Sequence, residues 1–201
     1  MKKIVFICSH LHSVSAALYD ALNSHPRIQG YKTDSMNSYF SPLNLIDLTN
    51  RPHKLSNRSA IYMDELLCNH SFYTKIAYKK CQFIYLIRDA EPTLNLLVGN
   101  KQPAAFAARY YTYRLGRLCE MAKRTPGAVF MTWEDLVTNR SLSLVEKYLG
   151  LKEPIQFSVE SLVPFITHKT GLLDKKLLDL CQDSYEKHLY FLRNQDLQFW
   201  S

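Results

Sequence analysis

Lys3-Ile4-Val5-Phe6-Ile7-Cys8 is a β-branched apolar run of strand length, and the polar loop Ser9-His10-Leu11-His12-Ser13 follows it. Beyond the loop, Val14, Ala17, Leu18, Ala21 and Leu22 fall at the i, i+3, i+4, i+7, i+8 spacing of one buried helix face, and Pro26 ends the run. Ser13 and Ser15 stand where N-cap and first-turn hydroxyls belong. Strand, polar loop and helix start in this order aim backbone N–H groups and the positive end of a helix dipole at one spot, which favours an anion. An ordinary first βα unit with a serine cap has the same pattern, so the rest of the chain decides.

Arg27 to Tyr31 predicts a short second strand. Residues 32–58, rich in Asn, Ser, Pro, Thr and Asp, read as a long loop, and Ile61 to Asn69 as a helix. Gln82-Phe83-Ile84-Tyr85-Leu86-Ile87 is apolar on both faces, as a central parallel strand should be, and stops at Arg88-Asp89. Pro92 suits a helix start ahead of Thr93 to Val98, and Gly99 to Pro103 is a break. A long helix fits Ala104 to Arg124, and Ala128 to Trp133 is a further strand with Glu134-Asp135 at its end. Ser141 to Leu149 predicts a helix closed by Gly150, and Leu172 to Phe191 an amphipathic one. Strands alternating with helices imply a doubly wound, mainly parallel α/β sheet with helices on both faces. Ligands of such sheets bind beyond the carboxyl ends of the strands, where His10 to Ser15, Arg88-Asp89 and Trp133-Glu134-Asp135 would converge.

A length of 201 residues fits one domain, and 47% apolar with 21% charged residues is the balance of a soluble globular protein. Met1-Lys2-Lys3 and the five apolar residues after it are too short for a signal-peptide core, and no stretch reaches membrane-spanning length. The five cysteines lack C-x-x-C spacing and read as reduced core residues, which places the chain in the cytoplasm. The net charge of +7 implies an anionic partner, such as a nucleotide or a sulfate or phosphate ester. Lys and Arg are scattered rather than striped, which argues against nucleic acid.

No G-x-x-x-x-G-K-[ST] is present, and no glycine precedes Gly30. The three stretches together resemble the sulfotransferase family that uses 3′-phosphoadenosine 5′-phosphosulfate (PAPS). Its first motif, R-S-G-T-T with a helix and His-Pro behind it, falls on His12, Ser13, Val14, Ser15 and Ala16 when counted back from His25-Pro26. Its strand running into Arg-Asp-Pro is matched by Phe83 to Asp89. Its third motif is matched by Trp133-Glu134-Asp135-Leu136-Val137 and Leu149-Gly150-Leu151. The likeness spans about residues 3–151, with a looser echo at Lys169-Thr170-Gly171 of the family's basic, glycine-containing nucleotide loop.

The resemblance implies a P-loop-like fold and a PAPS-dependent transfer of a sulfuryl group to a hydroxyl, or an amine, of a small-molecule or glycan acceptor, without a metal. Leu11 to Ala16 would cradle the 5′-phosphosulfate, with the Ser13 and Ser15 hydroxyls adding to backbone N–H groups. Arg88 would hold the 3′-phosphate through a charge-assisted fork, with Asn95 and Leu96 where the family has a serine and Lys169 as a second cation. Tyr113 would line the nucleotide cleft, whereas Tyr110 and Tyr111 read as core. Asp89, Glu134 and Asp135 have no metal-ligand spacing and suit structural roles such as helix capping.

Two departures stand out: His12 replaces the cation that neutralises the leaving phosphate, and β-branched Val14 replaces a flexible glycine. A general base would lie between the second strand and Arg88, where His70, His53, Asp64 and Glu65 are candidates and His70 leads. The competing readings are a non-catalytic relative that binds a nucleotide or a partner, and a P-loop kinase-like phosphotransferase. Neither the acceptor nor the oligomeric state is legible in the sequence.

Overall fold

The computed structural model describes residues 4–10, 14–30, 59–64, 81–138, 141–158, 173–195 and 197–198, with backbone alone at 59–64. At its centre lies β1 (Ile4–Ser9), paired in parallel with β3 (Ser59–Asp64) on one side and β4 (Cys81–Ile87) on the other. Outside β3 runs β2 (Ile28–Gly30), and outside β4 runs β5 (Val129–Thr132), so the order is β2-β3-β1-β4-β5 and every pair is parallel. From β1 the chain moves through α1 (Ser15–Asn23) toward β2, whereas from β4 it moves the opposite way to β5. The winding therefore reverses between β1 and β4, and ligands of doubly wound sheets bind beyond the carboxyl ends at such a reversal.

Both faces of the central strands are apolar. Phe6, Cys8, Phe83, Tyr85 and Ile87 pack against α2 (Ala90–Gly99), α3 (Ala104–Ala122) and α6 (Lys175–Arg193). Val5, Ile7, Ile84, Leu86 and Met131 pack against α1 and α5 (Leu142–Leu149). Alternation of side-chain direction along each strand places two apolar sets on opposite faces, which is why these runs lack a polar period. Past α6 the chain returns to the sheet edge, where the Gln198 N–H donates to the Ala128 carbonyl and the Phe130 N–H to the Gln198 carbonyl, both at 2.8 Å. That pairing covers part of the exposed edge of β5.

The stretch expected to be helical from Ile61 to Asn69 begins instead inside β3. Five or six apolar-rich residues fit either period, and the open edge of β1 settles the matter by supplying a hydrogen-bonding partner. The helix expected at Thr93 starts earlier, at Ala90, and Pro92 sits in its first turn, where a missing N–H costs no intrahelical bond. The amphipathic helix begins at Lys175 and runs to Arg193, with the Asp174 side chain accepting from the Lys176 N–H. Cys8, Cys119 and Cys181 are buried and free, and Cys81 is half-buried and free; Cys68 lies outside the described residues. No helix among the described residues is long and apolar enough to cross a membrane.

Candidate functional site

Arg88 leaves the end of β4 at the winding reversal, and its main chain is held from two sides. Its N–H donates to Nε2 of His10, one residue beyond β1, at 2.9 Å. Its carbonyl accepts from the Tyr111 hydroxyl of α3 at 2.6 Å. Because Nε2 accepts, it carries no proton, so this His10 is neutral and protonated at Nδ1. The His10 ring meets the Tyr111 ring edge to face, 5.2 Å between centroids. From the next turn of α3, Arg114 Nε donates to the Ser9 carbonyl at 2.6 Å. Together these bonds fasten α3 to the ends of β1 and β4, with His10, Arg88, Tyr111 and Arg114 all buried.

The Arg88 side chain lies over the Trp133 ring, its guanidinium carbon 4.6 Å from the centroid, a cation–π arrangement. Burial pulls the Arg88 pKa below the usual arginine value, while the carboxylates of Glu134 and Asp89 pull it back up. It stays cationic, since arginine does not lose its proton in proteins. Burial pushes the phenols of Tyr111 and Tyr185 up, and neighbouring acidic groups push them further.

Trp133 opens the short helix α4 (Trp133–Val137), which is fixed by a capping box: Asp135 N–H donates to the Thr132 hydroxyl at 3.3 Å, and Thr132 N–H to the Asp135 carboxylate at 2.9 Å. Asp135 thus has a structural role. Trp133 also packs against Val14, the N-cap of α1. One indole therefore joins all three strand-end loops, touching Arg88 after β4 and Val14 after β1 while itself following β5.

Val14 adopts the left-handed conformation, φ 72° and ψ 18°, with its side chain 2% exposed. A β-branched residue resists that region, so the local backbone is strained and is held by its surroundings. Val14, rather than Ser13, is the N-cap, and no side chain caps α1. Ser15 is buried in the first turn and Ala16 half-buried. On α2, Asn95 and Leu96 are buried, and on α3, Tyr113 is 63% exposed. Tyr111 is core and Tyr110 packs against the core. Leu11, His12, Ser13, His53, Glu65, His70, Lys169, Thr170 and Gly171 lie outside the described residues, and Asp64 ends β3 without a described side chain.

Sequence reading placed His10 in the converging loops without giving it a role, read Tyr111 as core alone, and passed over Arg114. A signal was available for Arg114: it shares the buried stripe of Ala107, Tyr111, Leu115 and Leu118 on α3, and a cation on such a stripe needs an acceptor. His10 carried a weaker signal, as the second polar residue after a fully buried run.

No protein-family model matches the chain, and no curated protein matches it in sequence. The solved structures do offer likenesses. A crystal structure of a sulfotransferase from Alicyclobacillus acidocaldarius superposes with a TM-score of 0.61 at 10% identity, covering 96% of this chain and 95% of that one. A sulfotransferase domain from the curacin biosynthetic pathway superposes with a TM-score of 0.58 at 14% identity, covering 96% and 98%. At these identities the likeness speaks for architecture alone. The chain has a sulfotransferase-like fold.

Proposed function

We propose that the protein is a sulfotransferase that moves a sulfuryl group from PAPS to a hydroxyl, or less readily an amine, of a small-molecule or glycan acceptor. One observation carries this reading: a buried cation, Arg88, sits at the winding reversal against Trp133, which in turn touches the start of α1. A fixed cation beside a helix N-terminus suits a ligand with separate anionic groups. In this reading Arg88 would hold the 3′-phosphate, with Asn95 and Leu96 on the neighbouring helix, and the first-turn amides of Ser15 and Ala16 would meet the 5′ group. Leu11, Ser13 and Val14 would complete the cradle, Lys169, Thr170 and Gly171 would close over the nucleotide, and Tyr113 would border it.

When bound, PAPS supplies an electrophilic sulfur and a phosphate leaving group. This chain's own part is to position that group and to meet the negative charge that develops as the bond breaks. His12 takes the cationic role at the leaving oxygen, and His70 removes the acceptor proton. Incubation with PAPS and a panel of alcohols and phenols, with release of adenosine 3′,5′-bisphosphate as the readout, tests the reading. Turnover with some acceptor is expected, and His12→Ala should lose most of it. Equal turnover of His12→Ala and the parent across pH 6–9 would remove His12 from the mechanism.

A second reading, a non-catalytic nucleotide binder, is favoured by Val14. A buried branched side chain occupies the position where the motif it resembles has a glycine, and its backbone pays the strain. Nucleotide binding without turnover would support it.

A further inference from the structure

A second cleft opens at the opposite, amino end of β4 and β5, with a volume of about 390 Å³. This is the size of a small-molecule site. Phe83 and Ala128 close its inner side, both almost fully buried, and the Phe83 ring is fixed by stacking on Phe6 at 5.5 Å and on Tyr85 at 6.5 Å between centroids. Pro126 forms an apolar wall. Cys81 adds a half-buried neutral thiol to it.

Two polar groups face this apolar surface, and both donate. The Tyr148 hydroxyl accepts from the Phe83 N–H at 3.1 Å, which leaves its own O–H to donate. The Tyr148 main chain is held as well, its carbonyl accepting from Gln82 Nε2 at 2.8 Å. Arg124, exposed just beyond α3, contributes a guanidinium at the rim. The carboxylate of Glu120 is bridged to Lys123 at 2.9 Å. Thr125 also lines the cleft, but its hydroxyl is engaged with Tyr85 at 2.7 Å and with the Met121 carbonyl at 3.2 Å. Among the described residues, no carboxylate lines the cleft.

An apolar lining with a cation and a hydroxyl donor, and no competing carboxylate among the described residues, selects for one kind of ligand. We propose that this cleft binds a small organic monoanion with an apolar body, its carboxylate held by Arg124 and Tyr148 and its body against Cys81 and Pro126. The site is separate from the junction around Arg88 and does not depend on the sulfotransferase reading.

Titration calorimetry of the full chain with 1-naphthoate tests it, with 1-naphthylmethanol as the neutral counterpart. The acid should bind at least about tenfold more tightly than the alcohol, and Arg124→Gln should remove about that factor, as expected for losing a charged partner. Tyr148→Phe should weaken binding several-fold, judged only after thermal unfolding shows the variant folded. Adenosine 3′,5′-bisphosphate should not displace the acid. Equal binding of acid and alcohol, or undiminished binding by Arg124→Gln, would leave Arg124 as a cation serving the carboxyl end of α3 and overturn the proposal. Absence of binding at millimolar acid, or displacement by the bisphosphate, would overturn it too.

Discussion

The two ends of the sheet are built from different residues. At the carboxyl end Ser9, His10, Arg88 and Thr132 are buried polar groups, and Arg114, Ser15 and Asn95 join them from the helices. At the amino end four of the five strands begin with Ile4, Ile28, Cys81 and Val129, and β3 begins with Ser59. Leaving a buried polar group unsatisfied costs about 1–3 kcal/mol, so a stretch selected for stability alone would be apolar. Polar burial is denser at the carboxyl end, where Tyr111 and Arg114 of α3 also donate to the Arg88 and Ser9 carbonyls, and this concentration marks that end as shaped by something besides stability. The amino end buries fewer polar groups, Thr125 and the Gln82 side-chain oxygen among them, and carries the cleft lined by Arg124 and Tyr148.

The sharpest way to break this contrast is at Arg88. Arg88→Ala should weaken adenosine 3′,5′-bisphosphate by about 2–4 kcal/mol, the range for removing a charged partner, while adenosine 5′-monophosphate binding barely changes. Equal losses for both nucleotides, measured by calorimetry, would make Arg88 a structural residue only. Next comes His10, whose Nε2 is the acceptor for the Arg88 N–H. His10→Leu should lower the unfolding free energy by about 1–3 kcal/mol in denaturant titrations, because a buried N–H loses its acceptor. Cys81→Ala at the amino end of the same strand should cost less; an equal or larger loss there would erase the distinction.

Tyr111 offers a pH-dependent version. Its phenol is held well above its ordinary 10.0, so the folded chain keeps a proton that the unfolded chain releases above that pH. The folded state binds more protons there, and stability falls as pH rises past about 10. Tyr111→Phe should cost about 1 kcal/mol at neutral pH by losing its bond to the Arg88 carbonyl, and should flatten the alkaline decline. An unchanged alkaline slope would count against the buried phenol.

The smallest effect, and the one with the most telling sign, concerns left-handed backbone. Gly150 adopts φ 68° at the end of α5, as glycine does without strain, and Val14 adopts φ 72° with a branched side chain. At ordinary sites glycine is less stable than alanine. At position 14, Val14→Gly should be more stable than Val14→Ala by about 1 kcal/mol, because only the glycine escapes the left-handed penalty. The reverse order in thermal unfolding would mean that Val14 is unstrained.

Much of this was legible before any coordinates. The runs at Ile4 to Cys8 and Phe83 to Ile87 are long, branched or aromatic, and apolar on both faces, and few elements besides central parallel strands have that composition. The convergence of the three loops was legible too, because a parallel sheet brings the carboxyl ends of its strands to one edge. β3 was misread because Ser59–Asp64 is short and its identity comes from the partner β1. The strain at Val14 was only half legible: the motif marks a glycine position, but whether a valine there keeps the glycine's backbone depends on packing under Trp133. The clamp on Arg88 depends on His10 and Tyr111, which are far apart in sequence and meet only when α3 folds back across the strand ends.

The most direct test of the central claim is the melting temperature with nucleotides and without magnesium. Adenosine 3′,5′-bisphosphate at a hundred times its dissociation constant should stabilise the chain by about 2.7 kcal/mol. For a protein of this size that is a rise of roughly 5–10 °C, and ATP should give less. A larger shift with ATP that requires magnesium, with none from the bisphosphate, would contradict the sulfotransferase reading and point to phosphoryl transfer.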